Sequence, residues 1–137
     1  MRITSDYLVV GSGIAGLCYA LTVAEHGQVS LVTKREIATT ATRLAQGGIA
    51  AVATTDDSFD QHIQDTMEAG AWLPNEEIVR MVVENGPAAI EDLINWGTKF
   101  SRKEDQSYDL TREGGHSQRR IYHSNDETGK EIERALV

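Results

Sequence analysis

Cysteine is almost absent from this sequence, since Cys18 is the only one in 137 residues. The chain therefore cannot form an internal disulfide or a cysteine cluster for a metal, and this is typical of a reducing compartment. Basic residues are also few: Lys and Arg number 13 against 21 for Asp and Glu, for a formal net charge of -8. That balance argues against non-specific nucleic-acid binding but leaves room for a small anion held by local donors.

Long apolar runs are missing as well. No stretch approaches the roughly 20 residues that are needed to span a bilayer. Residues 1–6 lack the apolar segment and the small-residue cleavage site of a signal peptide. We therefore expect a cytoplasmic protein without membrane contact. The hydrophobic fraction of 40% is ordinary for a soluble globular protein, and the length suits one domain with a modest core.

The first part of the chain has the pattern of a βαβ unit of roughly 30 residues. The continuous apolar runs 7–10 and 29–32 predict two strands that are buried on both faces, as in a parallel sheet. The small and apolar residues from Ile14 to Glu25 predict a helix that packs closely on that sheet, with Gly27 just beyond its end. The fold class is thus α/β. Because doubly wound sheets need more than two strands, we expect an incomplete parallel sheet whose other strands lie elsewhere.

The next segments are predicted from their capping residues. Residues 33–57 are rich in Ala, Thr and Gly and are expected to form a long loop that is either functional or disordered. A capping box of Ser58 with Gln61 predicts a helix with Phe59, Ile63 and Met67 on one face, which ends at Gly70. Asn75 predicts the start of another helix with Ile78, Val79, Val82 and Val83 inward, and Gly86-Pro87 predicts a break followed by a new helix to Gly97. Irregular strands and loops are expected over 98–125, and a helix over 128–137.

The segment from Gly11 to Gly16 matches the pattern G-x-G-x-x-G directly after a strand and at the start of a helix. In this context Gly11 permits a tight turn, Gly13 leaves room for a pyrophosphate, and Gly16 lets the helix approach the strand. The helix N-terminus would present free N–H groups to the phosphates. Lys34 stands near the end of the second strand, where an acidic residue usually binds ribose, so this fingerprint leaves both NADP and FAD open.

A second loop, residues 41–48 followed by 49–52, carries a resemblance to a known family. Together with Gly11–Gly16 and 32–34, it resembles the succinate dehydrogenase/fumarate reductase flavoprotein superfamily, in which this loop wraps the FAD diphosphate and the isoalloxazine ring. Membrane-bound members carry a histidine at the place of Ala41 that holds the flavin covalently, so the resemblance implies non-covalent FAD. It also implies these cofactor-binding residues: Gly11, Ser12, Gly13, Ile14, Ala15, Gly16, Lys34, Ala41, Thr42, Arg43, Leu44, Ala45, Gln46, Gly47 and Gly48.

Within the superfamily, residues 111–117, 119–121 and 128–131 are similar to the L-aspartate oxidase branch, and the likeness extends from Asp6 to Val137. It implies oxidation of L-aspartate to iminoaspartate by hydride transfer to FAD. Oxygen or fumarate would reoxidise the flavin, and a quinolinate-forming enzyme of NAD biosynthesis would use the product. Glu113 is expected to face the substrate amino group, with His116 as a second substrate-binding residue.

The family's catalytic arginine and its capping domain are expected downstream of Val137. We therefore treat residues 1–137 as the N-terminal part of an FAD-binding domain, without catalytic residues of its own and without turnover of aspartate alone. Arg119 and Arg120 could bind a substrate carboxylate, but paired loop arginines are as often solvated or in surface ion pairs, so neither is assigned a role. His62, which lies off the apolar face of its helix, and His123 are interpreted as structural, and Cys18 as a packing residue. No metal site is expected.

Three alternatives remain at this point. The first is a soluble fumarate reductase of the same superfamily. The second is a non-enzymatic module that self-associates through an exposed sheet edge, because exposed edges invite pairing. The third is an NADP-binding domain that uses Lys34 and Arg35, which the second loop disfavours.

Overall fold

A computed structural model describes residues 2–37 and 39–137. Ala38, in the long loop predicted after the second strand, lies outside the described residues. Strand β1 (Tyr7–Val10), helix α1 (Ile14–Ala24) and strand β2 (Val29–Val32) follow in that order. The two strands pair in parallel with Tyr7 opposite Val29 and Val10 opposite Val32. The predicted βαβ unit and the α/β fold class are confirmed.

The rest of the chain is built around helices and one short antiparallel pair. A 3₁₀ turn spans Thr42–Leu44, and strand β3 (Ile49–Ala50) pairs with strand β4 (Ile121–Tyr122). This pairing joins the end of the second loop to a segment about 70 positions further along the chain. No local sequence pattern predicted such a long-range contact. Helices α2 (Phe59–Ala69), α3 (Glu76–Asn95) and α4 (Thr128–Leu136) complete the fold.

The caps of α2 and α3 follow the predicted chemistry. The Ser58 hydroxyl accepts from the Gln61 N–H at 3.1 Å, and the Asn75 side chain accepts from the Ile78 N–H at 3.2 Å. Gly70 ends α2, as expected. The second half of the capping box is not formed, because the Ser58 N–H donates to the Asp57 carboxylate at 2.8 Å, while the Gln61 side-chain amide donates to Asp65 at 3.0 Å.

The predicted break at Gly86-Pro87 is wrong. One helix of 20 residues runs from Glu76 to Asn95 with Pro87 inside it. Proline removes one backbone donor there, but the buried side chains Val83 and Ile90 lie on either side of it. Burial of side chains in both halves of the helix, in two different core regions, outweighs the loss of one hydrogen bond.

Two core regions hold the molecule together. The larger one joins α1, α3 and α4 to the segment around β4, and the smaller one lies between α2 and α3. Ile78 and Val82, which were expected to face inward, are exposed, so these two predictions are wrong. The buried members are Leu17, Ala51, Ile90, Leu93, Phe100, Leu110, Tyr122, Ile132 and Leu136 in the larger core, and Ile63, Met67 and Val83 in the smaller.

Candidate functional site: a dinucleotide cleft between two loops

The first loop of the site connects β1 to α1. Gly11 has a φ of +107°, a conformation in which a side chain would be strained, and its N–H donates to the Val32 carbonyl at 2.8 Å. A Cβ on Gly16 would collide with the Gly11 carbonyl. By contrast, the nearest atom to a Cβ on Gly13 would be the Thr42 hydroxyl at 3.7 Å. Gly11 and Gly16 are thus required by the backbone, whereas Gly13 is not.

The N-terminus of α1 presents backbone donors. Gly13 precedes the helix and supplies no side-chain cap. The Ile14 N–H donates to the Thr42 hydroxyl at 3.0 Å, but within residues 2–37 and 39–137 the N–H groups of Ala15 and Gly16 have no acceptor. Free N–H groups at a helix N-terminus bind phosphate oxygens, and the helix dipole favours the negative charge.

A cleft of about 470 Å³ opens beside these donors. Ser12 is buried there, and its hydroxyl donates to the Ile37 carbonyl at 3.0 Å, so it braces the wall of the cleft. Lys34 is exposed at the rim and supplies positive charge. The donor set fits a dinucleotide diphosphate. The cleft is lined by Val10, Gly11, Ser12, Gly13, Val32, Thr33, Lys34, Thr39, Thr40 and Ala41.

The second loop lies against the first through Thr42. Its other predicted cofactor residues differ in their surroundings. Leu44 and Gln46 are exposed, whereas Arg43 approaches the Glu133 carboxylate at 3.7 Å. The Ala45 carbonyl accepts from the Gly129 N–H at 3.0 Å. A Cβ on Gly48 would collide with Ile121 and Tyr122, so packing under β4 explains this glycine without a ligand.

Glu113 lies beside the second loop, and its assignment as a substrate-binding residue stays a prediction. Both carboxylate oxygens are 3.6 Å from the position that a Cβ on Gly47 would occupy. The side chain is exposed. A carboxylate is therefore adjacent to the glycine that would face the cofactor, although the two segments are more than 60 positions apart in the sequence.

His116 points in another direction. Its Nδ1 lies 3.3 Å from Nη1 of Arg120, and its ring packs against that of His62 with centroids 5.4 Å apart. The structure thus brings Glu113 to the cofactor loop and turns His116 toward a buried charge cluster. Its assignment as a substrate-binding residue stays a prediction.

The buried charge cluster consists of Arg120, Asp57, Asp65 and Ser117. Arg120 is fully buried, and it binds Asp57 through Nε at 2.7 Å and Nη2 at 2.6 Å. Its Nη1 donates to Asp65 at 2.6 Å. Asp65 also accepts from the N–H and the hydroxyl of Ser117, each at 2.8 Å. Arg120 is thus neither solvated nor in a surface ion pair, but forms buried ion pairs with Asp57 and Asp65.

These contacts set the charge of Asp65. Burial alone would raise the pKa of this carboxyl, but hydrogen bonds from Ser117, Arg120 and Gln61 together hold it well below its usual range. Sequence reasoning missed the cluster because its members come from three distant segments. A weak signal was the position of Arg120 directly before the buried pair Ile121–Tyr122.

The two histidines without an assigned role lie in different places. His62 is buried, although its position off the apolar face of α2 suggested otherwise, and its pKa is lowered by burial and by the positive charge of Arg120. His123 is half-buried, with Nε2 3.7 Å from Asp109. Cys18 packs against the larger core, and burial raises the pKa of its thiol.

A strand–loop–helix unit with free N–H groups at the helix N-terminus, and a second loop that lies against that terminus, define a dinucleotide-binding domain. Comparison with known protein families identifies which dinucleotide such a domain binds, because the family described as FAD binding domain matches residues 6–137. The chain belongs to this FAD binding domain family. The prediction of FAD as cofactor is thereby confirmed.

The chain is also similar to individual proteins. It is 54% identical over 132 residues to the tobacco protein named L-aspartate oxidase 2-b, chloroplastic, and 49% identical over 134 residues to L-aspartate oxidase 1 of Ralstonia nicotianae. These matches cover 96% of this chain but 20% and 25% of the relatives. The chain thus spans about a quarter or less of the length of these curated relatives.

Among solved structures, the chain is similar to a variant of E. coli quinol fumarate reductase FrdA, with a TM-score of 0.91 and 34% identity over 99% of this chain and 24% of that one. A flavocytochrome c3 fumarate reductase matches with a TM-score of 0.83 and 25% identity, over 96% of this chain and 24% of that one. No helix among the described residues is long and apolar enough to cross a membrane.

Proposed function

We propose that this chain is the N-terminal FAD-binding part of an L-aspartate oxidase. The observation that carries the proposal is the carboxylate of Glu113 beside Gly47, at the edge of the loop that would face the flavin. A carboxylate at that place can hydrogen-bond the ammonium group of an amino acid, and fumarate has no such group. The names of the similar tobacco and Ralstonia proteins support the same activity.

In this proposal the chain's residues hold and orient the reactants. The free N–H groups of Ala15 and Gly16 bind the diphosphate, and Lys34 adds positive charge at the rim. Glycines in the second loop let the backbone approach the ring. Since Ala41 offers no nucleophile, the cofactor is held without a covalent bond. FAD, when bound, accepts the hydride that leaves Cα of the substrate.

The reaction proposed for the whole protein is the oxidation of L-aspartate to iminoaspartate. The substrate would lose a hydride from Cα and a proton from its nitrogen, and oxygen or fumarate would take up the two electrons and two protons in the overall reaction. A quinolinate-forming enzyme is the proposed consumer of the product. Residues 1–137 alone are expected to bind FAD at most and not to oxidise aspartate. A steady-state assay with added FAD checks this, and aspartate oxidation by residues 1–137 would contradict it.

The role of Glu113 is tested by Glu113→Gln in an active oxidase that contains this segment. Because the side chain is exposed, the substitution should leave thermal stability unchanged. The loss of its charge should raise KM for aspartate by about ten-fold, as expected when one charged hydrogen bond is lost. Fumarate reduction should be nearly unaffected, because fumarate carries no ammonium. The matched control is Glu104→Gln, an exposed carboxylate in the turn after residue 103. Equal effects on aspartate and fumarate would contradict the assignment.

A fumarate-reductase type of flavoprotein is the second candidate, and the match to FrdA at a TM-score of 0.91 favours it. An enzyme of this kind would reduce fumarate but leave aspartate untouched. The two proposals are separated by offering both substrates to the same preparation.

We also propose a cytoplasmic location for the protein. The scarcity of cysteine supports a reducing compartment, whereas the tobacco relative is named chloroplastic. Cell fractionation with an antibody against residues 1–137 tests the location.

A further inference from the structure

Glu133 in α4 is a buried carboxylate that the proposed function does not use. Its side chain is 2% exposed and lies next to the core residues Ile132 and Leu136. Burying a carboxylate costs several kcal/mol unless hydrogen bonds and opposite charge compensate, and an apolar side chain of similar size would avoid that cost. A charge retained at such a position calls for a structural or functional explanation.

The side chain of Glu133 contacts Thr40, directly before the second loop, and Arg43 within that loop. Oε1 accepts from the Thr40 hydroxyl at 2.5 Å. Oε2 has no hydrogen-bond partner within the described part of the chain, and Nη1 of Arg43 lies 3.7 Å from it. We refer to Glu133, Thr40 and Arg43 as the α4 latch.

The Thr40 hydroxyl passes the constraint on to the backbone. It has one proton, which it donates to Glu133, so its lone pairs are free to accept, and the Arg43 N–H donates to it at 3.2 Å. This bond closes the turn that begins the 3₁₀ segment Thr42–Leu44. Within that turn, Thr42 accepts from the Ile14 N–H at the start of α1. Two hydrogen bonds therefore tie Glu133 to the backbone of this turn, and a third joins the Thr42 side chain of the same turn to the N-terminus of α1.

Helix α4 holds the other end of the same loop through Gly129. Its N–H donates to the Ala45 carbonyl, and a Cβ at this position would collide with the Thr42 carbonyl. Helix α4 thus holds the second loop at two points, at Thr40 directly before it and at Ala45 within it. Leu44 and Gln46 remain exposed beside these fixed points.

We propose that Glu133 is a positioning residue that fixes the second loop in the conformation which binds the cofactor diphosphate and ring. The inference rests on the proposed FAD-binding function. It assigns to α4, which does not line the cleft, control over cofactor affinity. The contribution of Glu133 passes through Thr40, so the two residues should act as one unit.

Amide hydrogen exchange of the protein without FAD tests the latch directly. Glu133→Leu should speed exchange at the Arg43 and Ala45 amides by about ten-fold, the effect of losing one hydrogen bond to a charged group. Thr40→Val should do the same, and the double variant should be no worse than either single one. Glu133→Gln keeps an acceptor for Thr40 and should stay within about three-fold of the original protein.

Flavin fluorescence titration supplies the second measurement. Glu133→Leu and Thr40→Val should each weaken FAD binding by about ten-fold, without adding in the double variant. The control is Glu131→Leu on the same helix, since Glu131 binds the Lys99 N–H and Arg134 and not the loop. It can lower thermal stability but should leave loop exchange and FAD affinity unchanged.

Several results would overturn the inference. One is that Glu133→Leu keeps amide exchange in the loop and FAD affinity within two-fold of the original protein, and another is that Glu131→Leu changes both as much as Glu133→Leu does. The inference also fails if the effects of the Glu133 and Thr40 substitutions multiply in the double variant, or if Glu133→Gln binds FAD as weakly as Glu133→Leu. If Glu133→Leu does not fold, the near-isosteric Thr40→Val and Glu133→Gln decide. Failure of an intact oxidase that contains this segment to bind FAD would count against the proposed function, whereas the exchange measurement would still judge the role of Glu133.

Discussion

At the scale of single residues, two glycines of the G-x-G-x-x-G segment have different roles, Gly13 directly before α1 and Gly16 in its first turn. Gly16 is needed by the fold, because a Cβ would collide with the Gly11 carbonyl. Gly13 has space around it and a φ of -72°, which any residue adopts. The sequence pattern treats both as fingerprint positions, and only the structure separates a packing requirement from a ligand requirement.

Alanine at each position should therefore give opposite results. Gly13→Ala is expected to leave the free energy of unfolding within about 1 kcal/mol and to weaken FAD binding by about ten-fold or more, because the methyl group occupies the approach of the pyrophosphate. Gly16→Ala is expected to destabilise the protein by about 1–3 kcal/mol through overpacking. Urea unfolding and FAD titration measure both quantities. A large loss of stability in Gly13→Ala would contradict this division.

At the scale of secondary-structure elements, local signals predicted most boundaries and failed where tertiary packing decides. The caps Ser58 and Asn75, the stop at Gly70 and the two parallel strands depend on nearby residues and could be predicted. The continuity of α3 through Pro87 could not, because it depends on what both halves bury. The pairing of β3 with β4 joins distant segments, and without it neither the burial of Arg120 nor the place of Glu113 follows from the sequence.

The buried cluster around Arg120 makes α2 and the segment before β4 one unit. Arg120→Met should leave the carboxylates of Asp57 and Asp65 buried without a cation and cost about 3–5 kcal/mol of stability. The adjacent Arg119 is exposed and donates only to the Leu110 carbonyl in the described residues, so Arg119→Met should cost less than about 1 kcal/mol. Chemical denaturation at pH 7 compares the two, and similar losses would refute the role of the cluster.

Helix α2 should also make stability depend on pH through His62. Burial, and then the charge of Arg120, lower the pKa of His62 below its ordinary value. Below about pH 6.5 the unfolded chain therefore binds a proton at this residue more readily than the folded chain does. The free energy of unfolding falls as the pH drops from 7 toward 5.

This slope can be assigned by substitution. His62→Leu should remove much of it and leave stability at pH 7 similar, because Nδ1 of His62 has no partner among the described residues. His26→Leu, at an exposed position after α1, serves as the control and should keep the slope. Denaturation midpoints at several pH values between 5 and 7 give the answer, and an unchanged slope in His62→Leu would count against it.

At the scale of the whole molecule, the parallel sheet is open on one side. Helix α1 covers the face that carries Val9, whereas Leu8, Val10 and Val32 lie exposed on the opposite face, at 64%, 80% and 53%. Parallel sheets are normally covered on both faces, so the two-stranded sheet has the form expected of part of a larger one. The incomplete sheet could be predicted by counting strands. Which apolar residues are exposed on it could be determined only from the register of the two strands.

The bare face predicts self-association of residues 1–137. Apolar side chains on a sheet with unpaired edges favour contact with another copy, so the protein should show a concentration-dependent increase in mass by analytical ultracentrifugation. Leu8→Lys should shift it toward monomer, because a charge on this face must be buried when two copies pack. Leu73→Lys, at an exposed leucine between α2 and α3, is the matched control and should leave association as it was. If Leu73→Lys disperses the oligomer and Leu8→Lys does not, the contact lies on the helical side and the sheet face is not the interface.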